Sequence, residues 1–246
     1  MDMLDIYTDY LICQNKYATA TGLSDMVDGE ISHDKVTRFL RQGDFDSKML
    51  WKHVKPAVRE RETQNGVLIL DDSIEDKPYT DENEVNCWHY SHAKGDVVKG
   101  INFLSCMVRY DDFSLPIGYE IIKKDIQYSD IKTQKLRRKA TVNKNQHFRQ
   151  LIQQACTNHV LFEWVLADNW FGSKANMAFI HDELQKSFII GVKSNRTLAL
   201  SEDDAKNGRH QQVRSLELEE DVVHKVWLKG LAFPVQLLKK VFKNEN

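Results

Sequence analysis

Apolar residues in the first sixty or so positions recur at helical spacing, with Leu4, Tyr7 and Leu11 on one stripe and Val36, Phe39 and Leu40 on another, and no period-2 alternation interrupts them. This part reads as a small helical domain over residues 1–62. Within it Gly22 to Val27, a turn at Gly29, and His33 to Arg41 predict a short helix, a turn and a second helix N-capped by Ser32. The second helix turns Lys35, Arg38 and Arg41 to its wetter side. Those cations suit a DNA-recognition helix or an ordinary solvated helix face equally well.

The pattern changes after a Gln64-Asn65-Gly66 turn. Val67 to Leu70 is a continuous apolar run, the mark of a strand buried on both faces, and it leads directly into Asp71-Asp72-Ser73. A polar loop is expected through Asn86, followed by a hairpin of Ile101 to Tyr110 and Phe113 to Ile122 joined across Asp111-Asp112. Phe148, Leu151, Ile152 and Ala155 then form one helical stripe. Phe162 to Ala167 is a second buried-type strand, and it stops at Asp168. Ser173 caps a helix carrying Met177, Ile180 and Leu184, and Phe188 to Val192 is a fifth strand.

The resulting order is β-β-β-α-β-α-β, an α/β arrangement assigned to residues 63–198. In an RNase H-like mixed sheet its first and fourth strands, each ending in an acid, fall side by side. Residues 199–246 turn polar and then show strand-like pieces at Val213 to Leu218, Val222 to Leu228 and Phe233 to Phe242, which read as the start of a β-rich insertion. The last of these stops within an apolar pattern, an unpaired edge that invites aggregation.

Composition adds limits. No run of 18 apolar residues exists and the N-terminus is acidic, which excludes a membrane span and a signal peptide and points to the cytoplasm. Cys13, Cys87, Cys106 and Cys156 lack a Cys-x-x-Cys pair, so a disulfide framework and a ribbon-type zinc site are not expected. Cys87, His89 and His92 contain zinc-ligand residue types without a distant second pair, and His89 with Trp88 reads better as support for a site rim. The net charge of −2 hides an uneven distribution. Lys123, Lys124, Lys132, Lys135, Arg137, Arg138, Lys139, Lys144 and Arg149 face only Asp125 and Asp130 between them, and Arg137, Arg138 and Lys139 read either as a grip on a DNA backbone or as no more than a solvated loop.

The chemistry rests on Asp71 and Asp168. A carboxylate where a buried strand meets solvent is held rigidly while its head reaches a metal. Two from adjacent strands can share Mg²⁺, or Mn²⁺, which accept oxygen ligands and leave positions for phosphate.

At these residues the chain resembles bacterial insertion-sequence transposases of the DDE superfamily, in the branch whose last acid lies in a Tyr-x-x-Arg-x-x-x-Glu-x-x-x-x-x-x-Lys signature. Leu68-Ile69-Leu70-Asp71-Asp72-Ser73 matches the first-strand motif with Ser for Thr, and Val165 to Phe171 matches the second. Trp88-His89-Tyr90-Ser91-His92 through Val98 to Asn102 is similar to the link into the second strand. The likeness covers Val67 to Val192. It implies metal-dependent cleavage and strand transfer on double-stranded DNA, at terminal inverted repeats and target sites, by a homodimer of the intact protein. Alignment of Asp71-Asp72-Ser73 with the family's Asp-x-Thr also favours Asp71 over Asp72 as ligand, and since neighbouring strand residues point to opposite faces only one of the two is expected to bind metal.

One departure is plain: no tyrosine follows Tyr128, so the signature bearing the third acid is missing. The chain is therefore expected to be a truncated or decayed copy with little strand transfer. A non-catalytic protein that holds transposon ends or inhibits an intact transposase is the alternative. A host RNase H-like nuclease with an unconventional third acid is a further one.

Overall fold

The computed structural model describes residues 2–15, 17–43, 45–91 and 94–241, and these fall into two compact units, Met1–Met49 and Leu50–Asn246. The first holds α1 (Met3–Cys13), α2 (Ala20–Met26) and α3 (His33–Gln42) around buried Tyr10, Leu23 and Val36. Both later helices start on side-chain caps: Thr19 Oγ1 accepts from Gly22 N at 2.9 Å, and Ser32 Oγ from Lys35 N at 3.3 Å. The reversal between them passes through Gly29 at φ +79°, a left-handed conformation that favours glycine.

Helix α4 (Ser47–Arg61) crosses the division between the units. Its Trp51, Val54 and fully buried Val58 pack into the core of the larger unit, and Arg59 donates to the carbonyls of Asn158 at 2.6 Å and His159 at 2.8 Å. The compact units therefore divide near residue 49, whereas the helical pattern of the sequence runs on to residue 62.

The larger unit is built on β1 (Val67–Asp76), β2 (Asn86–Ser91), β3 (Asp96–Tyr110), β4 (Phe113–Ile121) and, after a two-stranded hairpin of β5 (Ile126–Ser129) and β6 (Leu136–Lys139) and the helix α5 (Lys144–Thr157), β7 (Trp164–Ala167). Helix α6 (Lys174–Ala178) continues through a π-helical turn at Phe179–Glu183 and leads to β8 (Ser187–Ile190). The sheet order β4-β3-β1-β7-β8, antiparallel for the first three and parallel for the last, is the expected RNase H-like mixed sheet.

One face of this sheet carries the core. Leu68 and Leu70 of β1, Leu104, Cys106 and Val108 of β3, and Val165 and Ala167 of β7 meet Phe148, Leu151, Ile152 and Ala155 of α5. Each large side chain so buried contributes on the order of 1.5–3 kcal/mol. Helix α5 starts on a capping box, with Asn143 Oδ1 accepting from Gln146 N at 3.0 Å and Gln146 Oε1 accepting from Asn143 N at 2.9 Å.

Three local expectations change. Strand β1 does not stop at Asp71 but runs on to Asp76 against β3, because β3 itself begins at Asp96 and offers it a partner edge. The stretch before residue 101 contains β2, which pairs with the first half of β3, as β4 does with the second half. The basic run at Arg137-Arg138-Lys139 is not a loop but β6 of the β5-β6 hairpin.

Beyond β8 come β9 (Thr197–Ala199), α7 (Glu202–Lys206), β10 (Gln211–Gln212), β11 (Val223–Leu228) and β12 (Val235–Leu238), a second sheet of order β10-β9-β11-β12. Met177, Leu198, Val226, Leu228 and Leu237 form its core. Val213–Ser215 is a 3-10 turn rather than the start of a strand, and the expected strand end at Phe242 lies outside the described residues. Among the described residues no helix is long and apolar enough to cross a membrane.

Candidate active site

The parallel pairing of β1 and β7 ends at Leu70 opposite Ala167, so Asp71 and Asp168 are the next residues on adjacent strands. Aligned residues of parallel strands point to one face. Leu70 and Ala167 are buried toward α5, and both aspartates are exposed on the opposite face. Asp168 caps the 3-10 turn that follows it, its Oδ1 accepting from Trp170 N at 2.9 Å, while Asp71 Oδ1 accepts from Asp72 N at 2.9 Å. Burial raises the Asp71 carboxyl above its ordinary value, and repulsion from Asp168 and Asp72 adds to this against the lowering by the Asp72 N–H and Lys144.

Asp72 has a different environment. Its Oδ2 accepts from Lys144 Nζ at 2.5 Å and from Asn102 Nδ2 at 3.0 Å, a pairing that ties β1 to the first residue of α5 and to β3. The two adjacent aspartates thus separate by face, one toward the helix and one toward Asp168.

Asp71, Asp168, Lys144, Lys124, His89 and Trp170 line a cleft of about 1330 Å³. His89 is buried beside Cys87, with Nε2 to Sγ at 3.3 Å, and burial, helped by Lys124 and Lys144, lowers it to about 4, so it is neutral near pH 7. Lys124 donates to the Trp88 carbonyl at 2.5 Å and is itself lowered by burial. His92 lies outside the described residues. Among the described residues no group of three or more His, Cys, Asp or Glu is gathered closely enough to hold a metal ion.

The remaining sequence candidates lie elsewhere. Lys35, Arg38 and Arg41 are exposed on α3 in the smaller unit. On β6, Arg137 pairs with Asp130 at 3.5 Å, Arg138 with Glu82 at 3.3 Å, and Lys139 stands over the Tyr128 ring at 5.6 Å, so each cation has a partner within the chain. Lys124 and Lys144 belong to the basic stretch noted in the sequence, but their place in the wall of this cleft was not foreseen. The signal for Lys144 was its place directly after Asn143 in the capping box, where the first turn of the helix meets the strand ends.

A family model described as DDE superfamily endonuclease matches residues 1–226. No curated protein matches the chain. The chain is similar to a solved structure, the Drosophila P element transposase strand transfer complex, at 9% identity and a TM-score of 0.36, covering 73% of this chain and 36% of that one. It therefore spans little more than a third of the length of that relative.

Proposed function

The chain belongs to the DDE superfamily endonuclease family, and on that premise we propose that it is a DNA transposase of an insertion sequence, in which Asp71 and Asp168 hold a divalent cation against a DNA phosphate. The supporting observation is their placement directly after the Leu70–Ala167 pair, on one face and just past the end of the β1–β7 pairing. The donor set fits Mg²⁺ or Mn²⁺: two hard carboxylates, with ionised Asp71 disfavoured first by burial and then by repulsion from Asp168, gain from a shared cation. When bound, the ion supplies activation of a water or 3′-hydroxyl and stabilisation of the leaving oxygen at phosphorus.

The protein's own groups do the rest. The capped turn after Asp168 fixes that carboxylate, and Asp72 is spent on Lys144, leaving Asp71 as the ligand of the adjacent pair. Lys124 and Lys144 place positive charge on the cleft wall, where a phosphate would lie. Double-stranded DNA carrying the element's inverted repeats is the substrate, with Lys35, Arg38 and Arg41 reading or gripping the end and Arg137, Arg138 and Lys139 contributing to the backbone contact. A homodimer is the form proposed for strand transfer.

With two acids in the site, the chain itself is proposed to bind the cation weakly and to cleave little. That same observation favours a second reading, a protein that holds transposon ends without cutting them. Nicking of an end duplex in Mn²⁺ by the purified chain decides between them. Slow nicking, abolished by Asp71→Ala and by Asp168→Ala, is expected. Salt-sensitive binding with no metal-dependent nicking selects the second reading, and nicking indifferent to both substitutions overturns the assignment of the site.

A further inference from the structure

A second cavity, of about 410 Å³, shares Asn169 and Trp170 with the lining of the acidic cleft. Its charged lining is Lys193, Arg196 and Lys229, with no Asp or Glu among the lining residues. None of the three makes an ion pair with a carboxylate among the described residues. Nε and Nη2 of Arg196 are shielded from solvent with no hydrogen-bond acceptor. Lys193 lies over the Trp170 ring at 4.7 Å.

An unpaired, partly buried guanidinium is costly, and three cations with no acid between them repel one another. Such a group is offset by an anion, and a guanidinium favours phosphate because its planar fork matches two oxygens at once. The position matters as much as the charge. Asn169 and Trp170 directly follow Asp168 in sequence and line both cavities, so an anion here neighbours the cleft that holds the acid pair. We propose that this cavity binds a backbone phosphodiester of the same DNA strand whose neighbouring phosphate lies at Asp71 and Asp168, and so sets the register of that strand. The proposal rests on the DNA-cleaving reading of the acid pair, deepens it with a phosphate subsite, and places the bound strand across the Trp170 ring.

The test is fluorescence anisotropy of a labelled duplex over a range of salt concentrations. Arg196→Gln is compared with wild type and with Lys206→Gln, which removes an exposed cation paired with Glu202 at 2.6 Å and controls for net charge. Loss of one phosphate contact lowers the slope of log affinity against log salt by about 1. That reduction is expected for Arg196→Gln and absent for Lys206→Gln. Should Arg196→Gln fail to fold by circular dichroism, the double variant Lys193→Gln/Lys229→Gln at two exposed positions is expected to lower the slope by itself. Equal slopes for these variants and the control overturn the proposal. Inorganic phosphate is the second arm: a rise in wild-type Tm with phosphate, lost in Arg196→Gln, while the DNA slope stays unaltered, means a free-phosphate site and also overturns it. Mn²⁺ titration separates this from the parent reading. Mn²⁺ binding that needs Asp71, together with an unchanged slope in Arg196→Gln, removes only the subsite; a slope change with Mn²⁺ binding indifferent to Asp71 removes only the metal assignment.

Discussion

Asp72 of β1 and Lys144 of α5 are joined through Oδ2 and Nζ at 2.5 Å, both side chains about four-fifths withdrawn from solvent. The pair fixes the start of the helix against the strand that carries Asp71. It also gives two adjacent aspartates opposite expected behaviours. Asp72→Asn leaves Lys144 without its carboxylate in a partly buried site and is expected to cost about 1–3 kcal/mol in urea unfolding, with Mn²⁺ binding retained. Asp71→Asn relieves repulsion with Asp168 and is expected to leave stability unchanged or slightly higher while removing Mn²⁺ binding. A reversed pattern would make Asp72 the ligand.

Gly191 follows β8 and lies against the turn after Asp168. A Cβ there would stand 2.9 Å from Asn169 N and 3.1 Å from Asn169 Cβ, so the backbone of the turn must shift. Overpacking of this kind costs about 1–3 kcal/mol. Gly191→Ala is expected to lower the unfolding midpoint and to weaken Mn²⁺ binding through displacement of Asp168. A stability loss with metal affinity intact would show that the turn yields without moving the carboxylate.

These two sites show what could be read from the chain and what could not. Val67–Leu70 and Phe162–Ala167 were legible because strands buried on both faces have continuous apolar runs, and the acids at their ends were conspicuous. The Ser32 cap was legible from its place before a helical stripe. The extension of β1 to Asp76 was hidden, because Asp71 to Asp76 is mostly polar and its strand conformation depends on β3. That pairing is close at Gly100, where a Cβ would meet Glu75 O at 2.3 Å. In β2 the buried Cys87 and His89 alternate with exposed Trp88 and Tyr90, a pattern too short to separate from the polar stretch before it. The Asp72–Lys144 contact joins positions far apart in sequence, and no local pattern announces it.

Helix α3 supplies a separate prediction for the smaller unit. Lys35, Arg38 and Arg41 are exposed and take part in no ion pair with a carboxylate among the described residues, so they are available to phosphates. Each substitution to Ala is expected to weaken end-DNA binding and to reduce the salt slope by about 1 if the residue meets a phosphate. An Ala variant that weakens binding to the inverted repeat more than to unrelated duplex would instead identify a base-reading side chain. Unchanged binding in all three variants would leave α3 as a solvated helix face.

His89 provides a pH signature. Its value falls from 6.5 in the unfolded chain to about 4 in the folded protein, so the folded state prefers the neutral imidazole. The corresponding stability is present above about pH 6.5 and is lost as pH falls toward 4. At about 1.4 kcal/mol per pKa unit, the ceiling on that loss is on the order of 3 kcal/mol. Asp71 acts in the opposite sense: its folded carboxyl is raised, so the folded state gains as pH falls through that value, and the wild-type curve alone mixes the two. His89→Gln removes only the imidazole contribution. Urea unfolding of wild type and His89→Gln at matched pH values is therefore expected to show a difference in favour of wild type that is constant above pH 7 and declines between pH 6.5 and 4. Parallel curves across that interval would mean that the imidazole gains its proton without unfolding cost, and that the cleft wall at His89 is open to water.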